Sequence, residues 1–444
     1  TEQIAALETA DLRVLSATSI KALTTSQIGA LTTEQIGALS PTQVAALSTS
    51  QVVALNTDHI TALNTQQITS LTSVQVSALT TAQVAAIETQ DFAALTTAQI
   101  KAISTAGIAA LTTDQIEALT TAQTFNLTTN QVAAMETQDL AALETQNLAA
   151  MGNAQIRALT TDQVAALTTD QSANLGTAQL NALDTADLAA IATDKITSLT
   201  ATQIGGLNTT QLNALSTSQV EVLTASQVKG LTTGQMASLN TDALVALNTT
   251  QVDALLASQL SALDSSQIAT METDDIAAID VYQVASLSTD FIDGLSTSQV
   301  EALSAAQVGK LTATQFAALG TDDLAALTTA QMVTVTASQI NGLSSAQIQA
   351  IETADLQNLR ATQISSLSTA AVSGMSTDQT QALTTAQIAR LSATQLNSMV
   401  SNASSVAALF TSAQVGTTDA PAVLTATQLS LLSTTDIASL RTDA

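Results

Sequence analysis

Two acidic pairs, Asp274 with Asp275 and Asp322 with Asp323, and one histidine, His59, are the residues of this sequence whose types and spacing invite chemistry. Adjacent carboxylates suit a hard cation such as calcium, which takes oxygen ligands. A lone imidazole suits proton transfer or zinc, but each needs partners. The sequence has no cysteine and no second histidine, so neither a zinc site nor a Ser/His/Asp triad has its parts. The acidic pairs have a simpler reading: both fall where a short helix would begin, and the helix dipole favours negative charge there. No catalytic, cofactor-binding or metal residue is assigned, and the expectation is a protein without enzymatic activity or cofactor.

The elements that hold these residues follow from one period. An aliphatic residue or Met recurs every eight positions without a slip from Leu7 to Met399, through Leu15, Leu23 and Leu31. With Leu31 as position 1, the unit reads Leu31, Thr32, Thr33, Glu34, Gln35, Ile36, Gly37, Ala38. Position 2 is usually Thr, Ser, Asn, Asp or Glu and position 5 usually Gln, Asp or Asn, the spacing of a capping box. Position 2 is then the N-cap, and Leu at position 1 with Ile or Val at position 6 supplies the hydrophobic staple. His59 occupies a position 5 slot and reads as a variant of the capping residue.

One long helix is excluded by the same period. At about 100° per residue, eight residues drift the apolar stripe by about 80° per unit, so no face stays buried. The Thr pairs are also poor in a helix interior and good at its start. The octad therefore predicts an all-α solenoid of very short helices, one per repeat and about six or seven residues long. Isolated helices of that length are unstable. Stacking must stabilise them, with positions 1, 6 and 8 forming the interior and positions 3, 4 and 7 exposed. A β-solenoid is the rival fold, because Thr-rich short repeats also suit stacked strands. Ala and Gln are poor strand formers, however, and the apolar spacing lacks a period of two.

The array is expected to be regular over residues 1–399. Residues 400–423, which contain Phe410 and Pro421, form an irregular segment read as imperfect repeats or a cap, and two further octads and a tail fill 424–444. Inside the array, polar Thr124, Ser172 and Thr380 replace the aliphatic at position 6 and predict locally loosened turns. The chain opens partway through an octad, Thr1 to Leu7, without Met or signal peptide, which reads as a mature or excised piece of a longer protein.

Composition narrows the function classes. With 36 acidic against 10 basic residues and a formal charge of −26, nucleic acid and anionic membrane surfaces are poor partners. No apolar run reaches the length of a membrane helix, so no membrane insertion is expected. Aromatic residues make up only 1% of the chain, so the core must be thin.

The segment Leu39 to Leu47 resembles the helix opening of a TAL-effector DNA-binding repeat, but the 34-residue unit, its base-reading loop and its basic charge are missing. The whole array resembles uncharacterised octapeptide arrays of the form LTTxQIxAL in very large secreted or surface proteins of Gram-negative bacteria, often labelled adhesin-like. That likeness implies an extracellular or cell-surface filament, stalk or sheath built by self-association through repeat surfaces, and it transfers no functional residues. The alternative function is a surface adhesin or ice-interacting binding module using rows of Thr. Ice-nucleation octapeptides, however, are rich in Gly and Tyr, and this chain has one tyrosine, Tyr282.

Overall fold

The computed structural model describes residues 2–400; the irregular segment and final octads predicted beyond position 399 lie outside them, apart from the backbone of residue 400. Among the described residues there are forty-nine α-helices, one 3-10 helix and no strand. The fold is an all-α solenoid of short helices, one per octad, and the β-solenoid is set aside.

The local rule is visible in any unit. In the octad of Leu31, Thr32 is extended at φ −81°, ψ 162°, and its hydroxyl accepts from the Gln35 N–H at 3.2 Å. The helix Thr33–Ala38 follows. It stops because Leu39 is extended at φ −60°, ψ 139° and Ser40, the next cap, at φ −70°, ψ 155°. Two extended residues thus form each corner, and they carry the position 1 leucine into the interior. Apart from Ala393–Val400, the helices run four to six residues, shorter than the six or seven expected. The corner takes two of eight positions, and the last residue before it often sits outside the helix as its C-cap, as Ala54 does.

The chain divides into two compact units, Thr1–Val222 and Leu223–Ala444. Within each, a helix packs against the third helix along, as Pro41–Ala46 does against Thr65–Ser70 and Thr321–Ala326 against Ser345–Ala350. Hydrogen bonds between successive coils join residues 25 to 31 positions apart in both units. One coil therefore takes between three and four octads. Because this is not a whole number of repeats, a helix that packs on the third helix along also reaches the corner beside it, as Gln75 reaches both Val44 and Leu47.

The interior differs from the expectation at one position. Leu, Ile and Val at positions 1 and 6 are buried, as with Leu79 and Val84, but position 8 is commonly only half-buried. Position 5 takes its place: Gln83 is as buried as its aliphatic neighbours. The polar substitutions at position 6 do not loosen their turns either. Thr124, Ser172 and Thr380 are buried within the helices Thr121–Phe125, Thr169–Ala173 and Thr377–Ala382. Thr124 meets its need locally by donating to the Thr120 carbonyl at 3.1 Å, whereas the Ser172 hydroxyl has no hydrogen-bond partner.

Candidate functional site

A glutamine in a thin hydrophobic core needs four hydrogen-bond partners, two for its carbonyl and two for its amide N–H groups. Gln75 finds all four. Its Oε1 accepts from the Thr72 backbone N–H at 2.7 Å and from the Thr72 hydroxyl at 3.0 Å. Its Nε2 donates to the Val44 carbonyl at 2.9 Å and the Leu47 carbonyl at 2.8 Å, one coil earlier. The first pair caps the N-terminus of its own helix. The second adds a bond at the Val44 carbonyl, which also accepts from the Leu47 N–H at 3.2 Å, and takes up the Leu47 carbonyl at the corner after the helix Pro41–Ala46. One side chain thus serves the start of one helix and the end of another.

The arrangement repeats in both units. Gln43 donates to Leu12 at 2.9 Å and Leu15 at 2.8 Å, and Gln67 to Ile36 at 2.9 Å and Leu39 at 2.7 Å. In the second unit Gln339 donates to Val308 and Leu311, both at 2.8 Å. Glutamine suits the place because glutamate has no donors and asparagine is a methylene shorter. Asn147 shows the cost of the shorter reach: its Nδ2 donates only to Leu119, at 2.6 Å, and its Oδ1 takes the Thr121 hydroxyl at 2.8 Å instead.

His59 imitates the glutamine. Its Nδ1 accepts from the Asn56 N–H at 3.4 Å, and its Nε2 faces the Leu31 carbonyl at 2.8 Å. With Nδ1 accepting, the tautomer that fits carries its proton on Nε2 and donates across the coils. Both ring nitrogens are committed to the fold.

The acidic pairs are separated in the same way. Asp274 and Asp322 are exposed, while Asp275 and Asp323 sit buried in the position 5 row. The two carboxyls of each pair do not converge, and no group of three or more His, Cys, Asp or Glu able to hold a metal ion occurs among the described residues.

Four of the buried aspartates in this row hold their protons more tightly than a free carboxyl. Burial raises the pKa of Asp139, Asp187, Asp275 and Asp323, and nearby carboxylates add to it: Glu136 for Asp139, Asp184 for Asp187, Asp322 and Asp293 for Asp323. Asp275 is pushed up to about 6 by burial, with Glu272 and Asp274 adding their charges. The helices packed on its own, Thr249–Ala254 and Thr297–Ala302, carry Asp253 and Glu301 and no cation. The native state then binds more protons than the unfolded chain between about pH 4 and pH 6, so stability rises as pH falls through that window. We expect the Asp275 carboxyl, pushed up to about 6, to relieve its burial cost as it takes up a proton on acidification. Urea unfolding of the wild type and of Asp275→Asn at pH 7 and pH 4.5 checks this: the pH gain should shrink in the variant.

The sequence showed the capping half of the glutamine's role and missed the other half. A signal for it was present, since position 5 is far more uniform than a cap partner on a solvated surface requires. That Glu at position 2 recurs with Asp or Asn at position 5, as in Glu88 with Asp91, Glu136 with Asp139 and Glu144 with Asn147, was also legible; nothing in the structure explains the preference.

A family model described as the ALTTAQ repeat matches the chain ten times, over residues 4–41, 36–65, 84–121, 132–169, 140–177, 180–217, 201–233, 268–304, 316–350 and 348–385, which together cover more than half of it. No curated protein matches the chain.

Proposed function

The chain belongs to the ALTTAQ repeat family, and from that premise we propose that it is a non-enzymatic structural repeat protein that forms or decorates an extracellular filament, stalk or sheath at the cell surface. The observation that carries this reading is the buried glutamine row. The polar groups that recur in most units, the position 5 amide and the position 2 hydroxyl, are turned toward the protein's own backbone, as Gln75 and Thr72 illustrate. A sequence that spends its repeated chemistry on joining coil to coil is organised for assembly rather than turnover.

The same observation weighs against the ice-interacting alternative. Hydroxyls such as those of Thr72, Thr80 and Thr96 accept from the third helical N–H and donate to the glutamine, so both capacities are consumed. What faces solvent at positions 3, 4 and 7 is a surface of small residues and sparse charge that can pack against a second copy with modest repulsion. No helix among the described residues is long and apolar enough to cross a membrane.

Electron microscopy of the purified chain at rising concentration tests the proposal. Filaments or laterally associated bundles are the expected result, and exclusively compact monomers would overturn it.

A further inference from the structure

Among the described residues, the glutamine row is interrupted once for three consecutive octads. In the second unit, Gln259 donates to Val228 at 3.0 Å and Leu231 at 2.7 Å, and Gln267 to Met236 at 3.0 Å and Leu239 at 2.8 Å. The row resumes with Gln299 to Ile268 at 2.7 Å and Met271 at 2.8 Å. Between them stand Asp275, Gln283 and Phe291.

Each of the three fails for its own reason. Asp275 is a methylene shorter than glutamine and, when ionised, has no hydrogen to donate. Phe291 is buried and has no polar side-chain atom. Gln283 is the right residue in the wrong geometry. Its octad places Val281 and Tyr282 where Thr and a small residue usually stand, the Asp280 carboxylate accepts from the Tyr282 N–H at 2.8 Å, and the segment Val284–Ser286 is a 3-10 turn instead of an α-helix. The Gln283 Oε1 is left buried without a hydrogen-bond partner.

Elsewhere, paired departures from glutamine keep at least one tie. Asn147, which follows Asp139, donates to Leu119, and Lys195, which follows Asp187, donates to Ala165 at 2.6 Å. A coil takes between three and four octads, so three missing ties in succession leave nearly a full coil without an amide bond to the coil before it.

We propose that residues 272–295 form a built-in seam, the place where the second unit opens first. Toward the coil before it the segment is held by apolar packing and substitutes of local reach, while Gln307 and Gln315 still tie it to the coil after it. Phe291 fills the space of the missing amide, the Ser261 hydroxyl accepts from the Ser288 N–H at 2.9 Å, and the Lys310 ammonium lies 6.0 Å above the Tyr282 ring on the outside. Repeat arrays divide their stability among neighbouring interfaces, so an interface lacking its polar ties opens locally before the rest unfolds. The inference rests on the hydrogen-bond row and stands whether or not the chain builds a filament.

Native-state hydrogen exchange of the full chain, read by mass spectrometry, tests it. Peptides from 272–295 should exchange about tenfold or more faster than those from 296–350, the difference that one lost hydrogen-bond tie confers. Asp275→Gln should restore one tie and slow exchange across the seam, and Phe291→Gln, which trades packing for a tie, provides the second variant. Equal protection of the two regions in the wild type, or no slowing in Asp275→Gln, would overturn the proposal.

Discussion

Replacing Gln75 by Glu is expected to cost the first unit about 3–5 kcal/mol at pH 7, the range for a buried charge that has lost its partners. The geometry explains why so small a change is so severe. Glutamate keeps the acceptor that takes the Thr72 N–H and hydroxyl, so the N-terminal cap survives. It loses both donors, and a carboxylate oxygen then faces the carbonyl oxygens of Val44 and Leu47, which stood 2.9 and 2.8 Å from the amide nitrogen. Like partial charges meet in a place water does not reach. Gln75→Met removes the bonds without adding charge and should cost less, about 1–3 kcal/mol for the unsatisfied groups it leaves. Acidification should recover part of the loss in Gln75→Glu, because a protonated carboxyl donates once. Urea unfolding at pH 7 and pH 4.5, with exposed Gln66→Glu as the control, measures all three effects; a Gln75→Glu variant as stable as that control would contradict the account.

Phe92→Ala is the second large effect, at about 3–5 kcal/mol for an aromatic removed from a closed core. Phe92 has no exposed surface and occupies position 6, where most octads place Ile or Val. The interior is only two aliphatic residues deep per octad. A cavity there cannot be filled by residues from a deeper layer, because none exists. The helix Thr89–Ala93 packs against Thr65–Ser70 and Thr113–Glu117, so the loss should reach one coil to either side. Hydrogen exchange of peptides spanning 65–117 in the variant measures that reach, and loss confined to 89–93 would count against coil-to-coil coupling.

These two experiments separate what the octad announced from what it concealed. The helix start was legible because every participant is local. Thr32 and Gln35 lie three residues apart, and Leu31 and Ile36 staple the same helix, so spacing along the chain is spacing in space. The exclusion of a long helix rested on the same arithmetic. The buried face of position 5 was not legible, because it depends on which residues come to lie beneath it. Gln75 meets Leu47, 28 positions away, and 28 is not a multiple of eight. Only the coil length, a property of the corner angles at Leu39 and Ser40 and their equivalents, brings those groups together.

Position 8 was misplaced for a related reason. Small residues there suggested close packing within the interior, whereas they serve the approach of neighbouring coils near the surface. Gly374 shows the need: a Cβ on it would lie 2.4 Å from the Ser345 Cβ, in the coil before. The acidic pairs teach the converse lesson. Dipole and capping arguments placed both members at the helix start correctly, yet could not separate exposed Asp274 from buried Asp275, whose raised pKa comes from the coil packed around it.

The central claim is that the position 5 glutamines are buried ties between coils. Selective nitrogen-15 labelling of glutamine and hydrogen exchange of the side-chain amides, followed by nuclear magnetic resonance, tests it directly. Two populations are predicted: a slow one from tied residues such as Gln43, Gln67 and Gln75, and a fast one from exposed residues such as Gln66, Gln90 and Gln146. A single population exchanging at the rate of a free amide would contradict the account.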